Sequence, residues 1–298
     1  MTVCIAARAG NIVVGVSDRM LTSGDIQFEP SAGTKTYFLT NSMFVMTAGD
    51  AALQAEIILM VLQEITDRIA KDPNNWWKVS EAADLYVKYY NVIRNKRAEN
   101  AVLSPLNLDG QSFLANQGTM SSNLVERLAR ELINFEMPNA SAIFAGLDPA
   151  GCHIYTVHNN EANCVNNVGF AAIGIGDRHA SSQLMFARHA WNAPFPETLM
   201  LTYYAKKKAE VAPGVGVGTD MVMVGPVLGS LMQIGDHVIK KLDEEYDRII
   251  RSESSAFARA KGRMRGYVED LTNKAQATGA AAAEKQASPK TDGGTSSP

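Results

Sequence analysis

The spacing of apolar and polar positions changes several times along the chain, and each change marks an element. Residues 2–9 (TVCIAARA) and 11–18 (NIVVGVSD) are short runs rich in Val and Ile, meeting at Gly10-Asn11. That is a strand–turn–strand signal. Residues 35–39 and 43–47, broken at Asn41-Ser42, repeat it, with a polar loop at 22–33 between the two hairpins. From Asp50 the period becomes helical. AALQAEIILMVLQEITDRIAK places Leu53, Ile57, Ile58, Val61, Leu62 and Ile65 on one broad stripe and is closed by DPNN,. A second helix is predicted over 79–100, ending before Ser104-Pro105. A polar surface excursion follows over 105–119, then a helix over 121–135 opened by a serine cap,.

Strand patterns return at 141–146 and Gly151–His158 around the turn LDPAG, with a third short run at 169–175. Helices are expected over 177–191 and 196–209, and a last strand, DMVMV, over 220–224. Hairpins dominate, so the fold class is α+β, with largely antiparallel sheets; two sheets with helices on both outer faces would use every element. From Ile234 the chain changes character. Val238, Ile239, Leu242, Tyr246, Ile249 and Ile250 share one helical face opposite charges of both signs. This pattern suits a helix packed on its own domain or a neighbour, since a membrane-surface helix favours basic residues. The expected organisation is a body over 2–230 with an unusual stretch at 72–120, a helical extension over 231–273, and a low-complexity tail over 274–298 expected to be disordered,.

Composition narrows the reading. Hydrophobic residues make up 46% and charged residues 20% of the 298, an ordinary globular balance with enough chain for a substantial core,. A net charge of −3 with no long basic run gives no expectation of nucleic acid or membrane as partner,. Cys4, Cys152 and Cys164 are too few and too scattered for a disulfide framework, and none forms a CxxC pair, which fits a reducing cytosol,. The five histidines form no HExxH and no His–Cys cluster, so neither metal nor cofactor is expected. No basic region followed by an apolar one precedes the first strand, and no apolar run approaches the ~20 residues that cross a bilayer. The expected location is the cytoplasm.

Candidate chemistry begins at Thr2. Its small side chain favours removal of Met1, which would leave an α-amine and a hydroxyl on one residue. Such an amine has an ordinary pKa of about 8 and serves as a base near neutrality, beside its own nucleophile. Asp18 follows in VSDRMLTSG, Lys35 stands in TKTYFLT, and MTAGD ends a strand at Gly49.

This order resembles the proteasome β-subunit and HslV-type peptidases, a branch of the N-terminal-nucleophile (Ntn) hydrolases. There a mature chain begins with Thr, then shows a pattern like A-D-R-x-A-T-x-G, a lysine on the third strand and an A-G step before the first long helix. Here those positions read Ser17-Asp18-Arg19-Met20-Leu21-Thr22-Ser23-Gly24, Lys35 and Ala48-Gly49. IFAGLDPAGCHIYTVHNNE, FAAIGIGDRHASSQ and ETLMLTYYAKKKAEVAPGVGVGTDMVMV continue the likeness to about residue 226.

The resemblance implies a four-layer αββα sandwich and a threonine peptidase with Thr2 as nucleophile. Lys35 would lower the pKa of the amine and hydroxyl, Asp18 would hold Lys35, and the Gly49 N–H would serve as oxyanion donor. It also implies a homo-oligomeric ring, a peptide or unfolded-protein substrate and an ATPase unfoldase as partner. Two stretches depart from the pattern. Gly174-Ile175-Gly176 stands where the family has G-S-G, and 213–218 (PGVGVG) stands where it has D-x-x-S-G-G, so Asp177 and Asp220 become candidates to support the amine. GVGVG lacks the Lys-[Ser/Thr] of a phosphate loop. Two alternatives stay open beside hydrolysis: an inactive ring subunit acting as scaffold or gate, and an acyl-transferase or ligase that resolves the acyl-enzyme with an amine.

Overall fold

The computed structural model describes residues 2–23, 26–31, 35–73 and 76–287. The chain divides into a unit ending at Leu242 and a second beginning at Asp243. The first is mixed α+β. Its strands are β1 (Cys4–Ala9), β2 (Ile12–Asp18), β3 (Leu21–Ser23), β4 (Ile26–Phe28), β5 (Thr36–Thr40), β6 (Met43–Gly49), β7 (Ala140–Asp148), β8 (Gly151–His158), β9 (Glu161–Cys164), β10 (Phe170–Ile173), β11 (Thr219–Val224) and β12 (Met232–Gln233). Its helices are α1 (Ala51–Lys71), α2 (Val79–Val102), α3 (Gly110–Asn116), α4 (Ser122–Ile133), α5 (Asp177–Phe186) and α6 (Phe195–Ala209), with a 3₁₀ turn at Ser104–Leu106. A seventh helix, α7 (Asp236–Ala287), runs into the second unit.

Two five-stranded sheets carry the body, in the orders β10-β1-β2-β11-β12 and β5-β6-β7-β8-β9, and every pairing within them is antiparallel. Strand alternation explains how they pack, because successive side chains leave a strand on opposite faces. On β6 and β7, Phe44, Met46, Ala48, Ile143 and Ala145 join Cys4, Ala6, Val13, Ile173 and Val222 in a core shared by the two sheets. The alternate positions Met43, Val45, Ala142 and Phe144 pack instead with Leu53, Ile57, Val61 and Tyr86 from α1 and α2. All nine residues of β7 are buried, as expected for a strand covered on both faces. On the other sheet, α5 and α6 pack on each other and on β1, β2 and β10.

The Gly10-Asn11 turn, the two hairpins and the apolar stripe of α1 lie where the pattern placed them. Asp50 caps α1, its carboxylate accepting from the Leu53 N–H at 2.8 Å. Ser121 occupies the cap position of α4 without a side-chain cap bond. The helix expected over 177–191 stops at Phe186, and Arg188 beyond it takes a left-handed φ of 53°. The stretch expected as a plain surface excursion holds α3, whose Phe113 joins Leu103 and Leu128 in a small separate core. The tail expected to be disordered from 274 is helical as far as Ala287, in keeping with its alanine content, alanine being the best helix former. Residues 288–298 lie outside the described residues.

Candidate active site

The hairpin of β1 and β2 fixes the first relation in the site. Its register pairs Cys4 with Ser17, so the residue before Cys4 meets the one after Ser17. The Asp18 N–H donates to the Val3 carbonyl at 3.2 Å, and the Val3 N–H donates to Asp18 Oδ1 at 2.8 Å. The sixteen-residue separation of Thr2 and Asp18 is therefore what two short strands and a two-residue turn require. Thr2 Oγ1 donates to the same Oδ1 at 2.6 Å.

Lys35 arrives from the other sheet. It precedes β5, and its carbonyl accepts from the Thr47 N–H of β6 at 2.9 Å. Its Nζ reaches Asp18 Oδ1 at 2.8 Å. Thr2, Asp18 and Lys35 are all buried, Asp18 completely. A buried ion pair loses the solvation of both partners and holds only where further hydrogen bonds replace the lost water. Here they do. Asp18 Oδ2 accepts from the Met20 N–H at 3.1 Å and from the Gly216 N–H at 2.9 Å, giving the carboxylate two oxygens and donors on both. The ammonium of Lys35 and the hydroxyl of Thr2 share Oδ1 as acceptor, so the cation stands beside the oxygen that would carry charge after proton loss.

The Gly216 donor belongs to the 213–218 loop, and Lys206 holds that loop in place. Lys206 Nζ, with no exposed surface, donates to the carbonyls of Gly216 at 3.0 Å and Val217 at 2.8 Å and to Glu210 Oε1 at 2.7 Å. Burial lowers its pKa from the ordinary lysine value, with Glu210 pulling the other way. Sequence reasoning missed Lys206 because it lies in the run Lys206-Lys207-Lys208. Its signal was its spacing: it follows Thr198 and Thr202 at intervals of four on the buried stripe of α6.

Opposite Thr2, the Ala48-Gly49 step and Ala51 at the start of α1 line a cavity of about 60 Å³ together with Met20, Thr22 and Gln54. Gly49 has a φ of 111°, and a Cβ there would lie 2.1 Å from the Asn139 carbonyl oxygen, so only glycine fits,. Gln54 orients this wall. Its Nε2 donates to the carbonyls of Ala48 at 2.9 Å and Ser141 at 3.0 Å, and the Tyr86 hydroxyl donates to its Oε1 at 2.9 Å. The hydroxyl of Thr22 is buried without a partner among the described residues.

Gly174 and Gly176 form the remaining side. The Gly176 N–H donates to the Thr2 carbonyl at 3.3 Å. A Cβ on Gly174, whose φ is +93°, would meet the Thr2 carbonyl oxygen at 2.3 Å. Ile175 between them is half exposed. Asp177 opens α5 and makes no side-chain hydrogen bond or ion pair among the described residues. Asp220 is turned away from Thr2: it pairs in register with Ser17, not Asp18, and its Oδ1 accepts from Arg19 Nε at 2.9 Å.

The other nucleophile in reach is Cys4, whose Sγ lies 3.6 Å from the Thr47 carbonyl. Burial pushes its thiol up to about 12, which removes the thiolate at neutral pH. No group of three or more His, Cys, Asp or Glu side chains that could hold a metal occurs among the described residues, and no helix among them is long and apolar enough to cross a membrane. No family model and no curated protein matches the chain.

Proposed function

We propose that the chain is an N-terminal threonine hydrolase that cleaves peptide or related amide bonds, with Thr2 as nucleophile once Met1 has been removed. The observation that carries this reading is the convergence on one carboxylate oxygen, Asp18 Oδ1, of the Thr2 hydroxyl at 2.6 Å and the Lys35 ammonium at 2.8 Å. In this reading the freed α-amine takes the hydroxyl proton, directly or through a water, and Lys35 stabilises the oxygen as it gains charge. The tetrahedral oxyanion forms in the cavity against the Gly49 N–H, a contribution of roughly 3 kcal/mol where comparable donors have been removed elsewhere. The intermediate collapses with cleavage of its C–N bond as the α-ammonium returns that proton to the leaving amine, and water then resolves the acyl-enzyme to the acid and free Thr2. The packing of α1 and α2 on one sheet, and of α5 and α6 on the other, with a core between the sheets, supports the four-layer αββα sandwich of the Ntn hydrolases. A homo-oligomeric ring in the cytoplasm, fed with unfolded protein by an ATPase, goes with this reading.

One observation favours a second reading, an inactive ring subunit. Ile175 stands where the family supports its amine with a serine hydroxyl, and the nearby Asp177 makes no side-chain hydrogen bond among the described residues. Intact-mass measurement with and without a peptide epoxyketone separates the two, because that warhead closes its ring only on a free α-amine and an adjacent hydroxyl. The hydrolase reading expects loss of Met1 and one stoichiometric adduct, abolished in Thr2→Ala. Retention of Met1, or its loss with no adduct from any warhead length, overturns it in favour of the scaffold.

A further inference from the structure

The unit that begins at Asp243 is a continuous helix as far as Ala287. Helices of this kind gain most of their stability from packing an apolar face, since local propensity alone leaves an isolated helix marginal in water. Most of the large apolar residues here follow one rule, with Ile249 and Val268 off it and Glu253 at one of its positions. Ile250, Phe257, Met264 and Leu271 recur every seven residues, and Tyr246, Ala260 and Tyr267 each stand four residues before one of them. These are the a and d positions of a heptad. The later part of the seam is open to solvent: Phe257 is 64%, Met264 58%, Tyr267 58% and Leu271 47% exposed, while Tyr246, Ile250 and Ala260 are partly buried. Phe257 has local cover from Lys261 Nζ, 4.8 Å from its ring centre. A repeat of seven drifts by about 20° per heptad on a straight helix, so keeping it in register requires supercoiling around another helix.

Charge identifies that helix. Residues 243–274 carry seven acidic and seven basic side chains, a balance that offers little to an anionic membrane surface. The signs are segregated, however. Four of the five residues over 243–247 are acidic, and four of the seven over 259–265 are basic, with no acid between Ser254 and Val268. A parallel pair in register would set like blocks against each other. An antiparallel pair centred on Ser255 sets Glu245 and Asp247 level with Arg265 and Arg263, with one like pair, Arg251 and Arg259, on each side of the centre. The same centre layers a positions on d positions, Ile250 against Ala260, Met264 against Tyr246 and Phe257 against Glu253 of the second copy, with Asp247 flanking Lys261. We propose that the helix beyond Asp243 pairs antiparallel, along this heptad seam, with the same helix of a second copy of the chain. The inference is independent of the hydrolase reading and stands or falls without it.

Disulfide trapping in the full-length chain tests it, in a Cys164→Ser background because Cys4 and Cys152 are buried. Ile250→Cys combined with Ala260→Cys places thiols across the antiparallel seam. Ten residues of helix separate them within one chain, about 15 Å, which forbids an internal bond. Phe257→Cys alone reports a parallel pair, and Gly262→Cys, opposite the seam, reports random collision. Under mild oxidation the double variant is expected to give a covalent dimer roughly ten times faster than either single one, as the Cα separation limit for a disulfide predicts. Faster trapping by Phe257→Cys overturns the antiparallel pairing. Trapping no faster than Gly262→Cys in every variant overturns the pairing itself. Phe257→Glu with Met264→Glu provides an independent measurement: by light scattering on the otherwise native chain, a drop in oligomer mass supports the seam and an unchanged mass counts against it.

Discussion

Asp18 and Asp220 sit on neighbouring strands one register step apart, both buried, yet they face different worlds. Asp18 pairs with Thr219 and Asp220 with Ser17, so alternation sends the two carboxylates out of opposite faces of the sheet. Asp18 collects donors from Thr2, Val3, Met20, Lys35 and Gly216. Asp220 has Arg19 on Oδ1 and leaves Oδ2 without a partner among the described residues. Burial is the same in kind, and the difference lies in the donors. A carboxylate held from both oxygens cannot rotate and can keep a lysine and a hydroxyl in one geometry. A carboxylate held from one side serves its arginine and little else.

The largest expected effect comes from removing the charge at the saturated position. Asp18→Asn keeps the shape but leaves the Lys35 ammonium buried with no counter-charge. Breaking such a pair from one side typically costs about 3–5 kcal/mol, read as a lowered urea midpoint, and epoxyketone labelling of Thr2 should be lost. Unchanged stability and labelling would mean that Asp18 is no more important than Asp220. Lys206→Met comes next. It keeps much of the stem's bulk but strips the Gly216 and Val217 carbonyls of their donor, at about 2 kcal/mol for buried groups left unsatisfied. Because Gly216 donates to Asp18, labelling should slow as well, and faster amide exchange at Gly216 would show that the loop has come loose.

These two variants also divide what could be read in advance from what could not. Thr2, Asp18, Lys35 and Gly49 were picked out as a set because their order resembles a known family pattern, and the register of the first hairpin accounts for the meeting of its two ends. A register once chosen dictates that Val3 meets Asp18. Asp220 was a reasonable candidate by proximity in sequence to the 213–218 loop, and one step of strand register sent it to the other face. The Gly216 donor was invisible for a different reason. A backbone N–H carries no side-chain signature, and its direction depends on a loop conformation that Lys206 imposes from a helix. Gln54 and Tyr86 escaped for a similar reason, since each reads as an ordinary helix position until α2 packs on α1. The helix running to Ala287 was missed because alanine-rich sequence fits low complexity and high helix propensity equally well.

The dryness of the inter-sheet core beside Thr2 makes a prediction in pH. Cys4 lies against this corner and Cys152 in the same inter-sheet core; burial pushes both thiols up to about 12. An unfolded chain releases those protons above about 8.5. Between the two values the unfolded state binds fewer protons than the folded one, so stability falls as pH rises. At pH 10 the loss is about 1–2 kcal/mol per thiol relative to neutrality. Lys206 acts in the opposite sense, since its lowered pKa makes the folded state release a proton first. Comparison of single variants therefore isolates the thiols. Denaturation free energy against pH from 8 to 10.5 should fall less steeply in Cys4→Ala than in the parent chain. Equal slopes would mean that water reaches Cys4 and that the corner is not dry.

The smallest expected effect belongs to the other carboxylate. Asp220→Asn keeps an oxygen able to accept from Arg19 and replaces the partnerless Oδ2 with an amide that carries no charge. The ion pair it weakens is partly screened, because the Arg19 side chain is 24% exposed, and pairs of that kind contribute about 0–1 kcal/mol. Relief of a buried, unsatisfied carboxylate oxygen offsets part of even that. Stability should shift by no more than about 1 kcal/mol in either direction, and epoxyketone labelling should proceed at the parent rate. A tenfold drop in labelling with stability retained would place Asp220 in the chemistry despite its facing away from Thr2. Influence would then have to pass through the Asp18–Thr219 pairing, and the two faces of the strand pair would act as one site.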